Sequence, residues 1–448
     1  MIRYLLVFAL FTAEPATLEA QAGAAPPPLA LSMRDAIRMA LAPQGNSGID
    51  IAEESVRAAQ ARVRESRAAA LPSVESFVAG RNQVMNLGAL GFESAHLPLP
   101  ALSNLRSVGP FNTLDARVQV RQSILNPAIG LRSRAVRADV ETARTDTEDL
   151  RDRVAAQAAR LYLVALRAAS AQDLAQARVE AAGAALQEAT NRNAAGNALS
   201  LDVSQARVRL STEKHRLLAA RLDRDRSALE LLTVLNRDLA TPLELTDQLA
   251  FTPVDTVTPE EAMALALRSR ADLAVLRQRI EAARLHDDSI RAERLPSIEA
   301  YADGGTLGTG FTTLTGTYSV GVSLRVPVFN GGIRAARREE NLARLRQEEL
   351  RSSMLKKEIE LQVREALIKL EAARGEIEIS NQEVEVAREA LVHHRRRHDE
   401  GIGGQADILE AQAGLAKAND NRAAALYSWN EARIELMQAM GTIRSLGQ

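Results

Sequence analysis

Apolar residues recur at helical spacing along most of this 448-residue chain, and in two places the pattern switches to strict alternation. From about Ala128 to Arg192 they fall at Val136, Val140, Ala143, Thr147, Leu150, Val154, Ala158, Leu161 and Ala165, mostly three or four apart. That spacing is the seam of a coiled coil, and such a helix would be roughly 100 Å long at its fixed rise per residue. The chain turns at Gly196 and returns over about Ser200 to Leu235. A second long helix, about Ile333 to Glu400, turns at Gly401 to Gly404 and returns to about Met440. In "TLDARVQVRQSILN", Leu114, Ala116, Val118 and Val120 alternate with Asp115, Arg117, Gln119 and Arg121. In "TYSVGVSLRVPVFN", Tyr318, Val320, Val322, Leu324 and Val326 alternate with Ser319, Gly321, Ser323 and Arg325. Period-two alternation predicts strands with one apolar and one polar face. "SVESFVAGRNQV" and "SIEAYADGGTL" predict two weaker strands.

These elements form a tandem repeat. "LSMRDAIRMAL", leading to "RAAALPSVE", matches "VTPEEAMALAL", leading to "RAERLPSIE". Each opens with a capping-box-like pair, Ser32/Asp35 and Thr258/Glu261. Each runs through a second helix to Leu-Pro-Ser, where Pro72 or Pro296 stops it. The hairpin turns align as well, Gly196 with Gly401 and Asp202 with Asp407. The expected organisation is a signal segment over 1–22, a first repeat over 23–235, a linker over 236–257, a second repeat over 258–441 and a tail over 442–448. Strands are expected at about 73–84, 113–126, 297–307 and 317–330, with hairpins over 128–235 and 331–441.

Composition narrows the functional classes. Lys+Arg 56 against Asp+Glu 57 gives no basic surplus for nucleic acid. The absence of cysteine excludes disulfides, thiol nucleophiles and Cys-zinc sites. Arg3, the apolar run Tyr4 to Phe11 and Ala20-Gln21-Ala22 fit a secretory signal, the alternative being a buried N-terminal helix. "GAAPPPLA" then reads as a proline-rich lead-in. Past the signal, no apolar run is long enough for a membrane helix. Four strands cannot close a membrane barrel, whereas three copies supply twelve. In that arrangement residues 86–112 form a long external loop and "GTGFTTLTGT" a short one.

The order of elements, the duplicated LPS(V/I)E, the "VPVFNGG" strand end (Val326 to Gly332) and the G-x5-D hairpin turns resemble the TolC-type outer-membrane factors. The resemblance spans essentially the whole chain beyond the signal. It implies a mainly α fold with a β-barrel part: a homotrimeric 12-stranded outer-membrane β-barrel continued by a periplasmic α-helical barrel. It also implies outer-membrane lipid around the barrel, a periplasmic adaptor (membrane fusion) protein and an inner-membrane RND or ABC pump, in tripartite efflux or type I secretion. The alternatives are a periplasmic adaptor, expected to carry one hairpin among compact β modules, or a coiled-coil scaffold. The amphipathic strands argue against the scaffold.

A duct has no catalytic step, and no P-loop, G-x-S-x-G or H-E-x-x-H occurs. No enzyme activity and no cofactor are expected. Asp407 and Glu410 lie on one helical face just past the second turn. In a trimer each pore-facing residue becomes a ring of three, and two acidic rings favour cations and give a gate. The other reading is that first-turn acids stabilise the helix through its dipole. Asp407 and Glu410 resemble the family's acidic aperture pair, and Asp202 the acidic partner in the first repeat. His398 stands where the family commonly has Tyr, and Gly403 where some members carry Arg, so the latch chemistry differs. A His-to-carboxylate contact there would respond to pH. Gly196, Gly401, Gly403 and Gly404 form the hairpin turns where an adaptor would touch. "HHRRRH" (His393 to His398) suggests metal export, but cations at a helix C-terminus also complement the dipole, and no metal site is assigned. Arg117, Gln119, Arg121, Ser323 and Arg325 are expected to face the barrel lumen.

Overall fold

The computed structural model describes residues 28–86, 107–253, 257–400, 402 and 404–448. The signal segment 1–22, most of the expected external loop, and Gly401 and Gly403 lie outside the described residues. The first repeat contains β1 (Leu29–Leu31), α1 (Met33–Leu41), α2 (Ser47–Ala68), β2 (Ser73–Asn86), β3 (Ser107–Leu125), α3 (Pro127–Ala194) and α4 (Ser200–Val234). The second contains β4 (Leu243–Leu245), α5 (Pro259–Ser269), α6 (Ala271–Ala292), β5 (Ser297–Gly308), β6 (Thr315–Arg325), α7 (Ile333–Asp399) and α8 (Gln405–Ala439). The duplication extends to lengths: α2 and α6 have 22 residues each, α4 and α8 have 35 each.

The helices start where the sequence supplies acceptors for their free N–H groups. Asp35 N–H donates to Ser32 Oγ at 3.1 Å. Thr258 and Glu261 exchange two such bonds, at 3.2 and 3.0 Å, which is a complete capping box. Asn126 caps α3, and Pro127 occupies its first turn, where no N–H is needed. Val140, Thr147, Val154, Ala158 and Ala165 of the α3 seam are buried, and Val136, Ala143, Leu150 and Leu161 pack against the same clusters.

Toward the hairpin turns the helices lie side by side as α4, α3, α8 and α7; toward the sheet the order is α2, α3, α6 and α7. The short helices continue the return helices. Asn46, the cap of α2, donates from Nδ2 to Val234 O at the end of α4 (3.0 Å), and Asn236 reaches back to Gln44 O at 3.0 Å. In the second repeat Arg270, at the start of α6, donates to Ala439 O of α8 at 3.4 Å. A core at this junction holds Leu31, Ile37, Tyr162, Leu231, Leu235, Ile434 and Ile443.

Three segments expected to be plain connections take part in this core. The proline-rich lead-in ends in β1, which pairs in parallel with β4, a strand inside the segment read as a linker. The tail ends in a 3-10 turn, Ile443–Gly447, with Ile443 buried. Arg444 forms ion pairs with Glu148 at 2.5 Å and with Asp152. The strands also differ in extent from the expected ranges. β6 stops at Arg325, which pairs with Ser297, the first residue of β5. Beyond it β5 offers no partner, and Pro327 has no N–H to donate. β3 begins earlier than expected, at Ser107, because β2 continues to Asn86 opposite it across a register shift.

Candidate functional site

The antiparallel sheet has the order β2-β3-β5-β6, so β3 and β5 join the two repeats and β2 and β6 are open edges. Its register decides which residues share a face. Glu75 pairs with Gln119, Gln119 with Asp303, and Asp303 with Ser319. Ser73, Arg121, Tyr301 and Gly321 form the next row. By period two, Arg117, Gln119, Arg121, Ser323 and Arg325 therefore lie on one face. Every charged residue in these strands lies there too: the acids Glu75, Asp115, Glu299 and Asp303, and the bases Arg81, Arg117, Arg121 and Arg325. Among the described residues the opposite face carries Val74, Val78, Val118, Val320, Val322 and Leu324 and no charge. Those side chains are bare, with Tyr318 85% and Val320 75% exposed. A sheet apolar and unpartnered on one face, and polar with balanced charge on the other, has the pattern of a barrel wall between lipid and water.

Two side chains on the charged face lie against the wall. Arg117 donates from Nε to Asp115 at 2.8 Å and from Nη1 to Asp303 at 2.7 Å. The second bond joins residues 186 apart in sequence, and local periodicity carries no signal for it. Tyr301 folds over Gly321, its partner in register. A Cβ at Gly321 would stand 2.5 Å from the phenol oxygen.

At the far end of the molecule the two hairpin turns share a set of hydrogen bonds among the described residues. Gly196 has φ +76°, and Asn197 N–H donates to Arg192 O at 2.8 Å, a bond typical of a glycine-terminated helix. Ile402 N–H reaches Arg397 O at 2.9 Å in the same way. The return helices start alike. Asp202 accepts from Leu199 N–H at 3.0 Å, and Asp407 from Gly404 N–H at 3.2 Å. Gly404 is the extended residue before α8, with φ −84°. Asp202 and Glu410 are exposed, Asp407 and His398 partly buried. The structure thus brings Asp202 and Asp407 to equivalent places and gives each a capping role. His398 lies in the last turn of α7 with Arg396 and Arg397, and no cluster able to hold a metal ion occurs among the described residues.

The helical edges complete the picture. On α4, Leu201, Val208, Leu222 and Leu229 are exposed at multiples of seven, opposite the buried Leu217, Leu231 and Val234. On α7, Leu361, Ile368, Ile379 and Val386 are exposed, while Val363, Ile377, Val384 and Leu391 are buried, the first two in clusters shared with α8. Both edge helices carry a second apolar stripe pointing away from their own hairpin.

About a third of the way along α3, burial raises the carboxyl groups of both Asp149 and Asp152 from their ordinary value. Nearby acids, Asp272 among them, push the same way. Arg153 pairs with Asp149 at 2.6 Å, and Arg444 pairs with Asp152. The first pair lies within α3, and the second ties α3 to the tail, a contact that the sequence pattern does not reveal. No helix among the described residues is long and apolar enough to cross a membrane.

Comparison with known proteins agrees with this geometry. Residues 262–442 match the family model described as Outer membrane efflux protein. The chain is 26% identical over 251 residues to the alkaline protease secretion protein AprF of Pseudomonas aeruginosa, covering 52% of this chain and 50% of that one. It is 26% identical over 288 residues to the pyoverdine export outer membrane protein OpmQ of the same organism, covering 62% and 59%. The matched part thus spans between half and three-fifths of these relatives. Among solved structures, the Campylobacter jejuni CmeC outer membrane channel superposes with a TM-score of 0.74 at 15% identity, over 92% of this chain and 85% of that one.

Proposed function

We propose that this chain, whose fold and second-repeat signature are those of the TolC-type outer-membrane factors, is the exit duct of a tripartite efflux or type I secretion system. Three copies form a closed ring in the outer membrane, a 12-stranded barrel continued by a periplasmic α-helical barrel. The observation that carries this reading is the sheet with all its charge on one face and bare apolar side chains on the other. Four strands leave β2 and β6 with unpaired backbone groups, which a bilayer does not tolerate. β6 of one copy beside β2 of the next satisfies both. The helices follow the same plan, because the outward stripe of α4 and that of α7 lie on opposite margins of each copy. Such a head-to-tail contact closes into a ring.

In this reading Arg117, Gln119, Arg121, Ser323 and Arg325 face the lumen. Asp202, Asp407, Glu410 and His398 surround the periplasmic aperture, and the turns at Gly196 and 401–404 meet a periplasmic adaptor that couples the duct to an RND or ABC pump. Relatives named for protease secretion and for pyoverdine export both match this chain, which fits a duct whose cargo is chosen upstream.

The alternative of an adaptor or scaffold is disfavoured by the apolar sheet face, which has no use in water. The test is extraction and mass. The duct reading expects the protein in the detergent-soluble outer-membrane fraction, with the mass of three chains, and forming conducting pores in planar bilayers. A stable single chain in the periplasmic fraction overturns it.

A further inference from the structure

The charged face of the sheet holds two devices of one kind. In each, a bulky side chain on one strand is laid over the neighbouring strand instead of standing out from the wall. Arg117 on β3 stretches across β5 and is held at both ends of its guanidinium, by Asp115 at 2.8 Å and Asp303 at 2.7 Å. Its side chain is only 20% exposed and that of Asp303 12%. Gly305, the register partner of Arg117, brings the strands so close that a Cβ there would stand 2.1 Å from Ala116 O and 2.4 Å from Arg117 Cβ. One strand further on, Tyr301 occupies the space that a side chain at Gly321 would take.

We propose that Asp115, Asp303 and Gly321 are positioning residues that hold the β-barrel bore wide and electrically neutral, by pinning Arg117 and Tyr301 to the wall. This rests on the duct reading above. A free arginine at this level would become a ring of three cations in the trimer, and a ring of fixed charge in a pore selects by sign. With the guanidinium bonded to two carboxylates, its positive field is offset at the wall, and the one surplus acid of this cluster is balanced by the other bases of the face. The charges on this face balance, so the barrel admits anionic and cationic cargo alike. Selection by charge is then confined to the other end of the duct.

The test uses the full-length trimer in planar bilayers, with inorganic polyphosphate added on the barrel side as the probe. Wild type is expected to conduct without polyphosphate block. Asp115→Asn with Asp303→Asn keeps side-chain volume and releases Arg117, and should lower the half-blocking polyphosphate concentration by about tenfold or more. Adding Arg117→Gln to that pair removes the released cation and one of the two positive charges gained per chain, and should move the block most of the way back toward the wild-type level. Should the double variant fail to assemble, Asp303→Asn alone carries the same expectation with a smaller shift. Gly321→Val, which displaces the Tyr301 ring, should reduce the size of neutral polyethylene glycol able to enter from the barrel side. Assembled pores in which the Asp variants are blocked no more than wild type, or a wild type already blocked to the same degree, overturn the proposal. A wild type that forms no pore at all overturns the duct reading instead.

Discussion

Tyr162 is fully buried at the junction of the two repeats, and burial pushes its phenol well above the ordinary value. The hydroxyl donates to Leu31 O at 3.0 Å and accepts from Asp247 N–H at 3.4 Å, so it ties α3 to β1 and to the chain just past β4. Leu31 O keeps a second donor in Thr246 N–H. Tyr162→Phe, which removes both bonds but leaves Leu31 O its second donor, should therefore cost about 1–2 kcal/mol, the net value of two neutral hydrogen bonds, read as a lower unfolding midpoint in detergent. Asp149 makes an opposite prediction. Its pKa is raised in the folded state, first by burial and then by Asp272, Asp152 and Asp146, against the pull of Arg153. A carboxyl raised on folding opposes folding whenever it is charged, and the penalty disappears at pH values where folded and unfolded chains are both protonated. Asp149→Asn should thus raise the unfolding temperature at neutral pH. The gain should shrink as pH falls through the carboxylate range and vanish below the unfolded value of about 3.9. Arg153 is mostly exposed, so losing its partner subtracts little. A gain independent of pH would refute the burial explanation.

Elements in this chain were legible where one local period decides them. The alternation around Val118 and Val320 gives the two faces of the sheet, and the spacing of Val140, Thr147, Val154 and Ala158 gives the buried side of α3. The long-range ties were not legible. Nothing local signals that Arg117 meets Asp303, that Asn46 joins α2 to α4, or that Arg444 anchors the tail on α3. Each depends on which segments come together, and a hydrophobic period says only which way a residue points. The second stripes on α4 and α7 lie between these cases, visible as spacings of seven or its multiples on α4 and of seven and eleven on α7, but without meaning until the hairpin has used the first stripe. They also predict an outcome. Leu222 is 68% exposed on the outward side of α4. Leu222→Glu should leave the α3–α4 hairpin intact and, in the proposed trimer, place three unpaired charges in the ring interfaces, at a cost on the order of several kcal/mol each. The expected result is unchanged helical circular dichroism with the mass of one chain in detergent. A variant that remains a trimer would remove α4 from the interface.

For the whole molecule, the two repeats place equivalent aspartates at the turn end of their long helical hairpins. Asp202 and Asp407 each accept one backbone N–H from the residue that opens their helix, and a carboxylate has a second oxygen to spare. Capping and gating are therefore compatible roles. The cap fixes the height at which the charge sits, and symmetry would multiply it to a ring of three in each repeat. Glu410, three residues past Asp407 and exposed, adds a further layer. Like charges drawn together around one axis stay hydrated, bind cations or take up protons. Asparagine separates the two roles, because it removes the charge and keeps the acceptor. Asp407→Asn with Glu410→Gln should weaken cation preference and cation block of the pore, while stability changes by no more than about 1 kcal/mol, the scale of a helix-end dipole contact. Asp407→Ala, which removes acceptor and charge together, should show the same loss of selectivity and a larger fall in stability. Planar-bilayer reversal potentials and thermal unfolding of the same preparations distinguish the roles. If selectivity stays at the wild-type value in both variants and stability alone falls in the alanine variant, these acids only start helices and the aperture lies elsewhere.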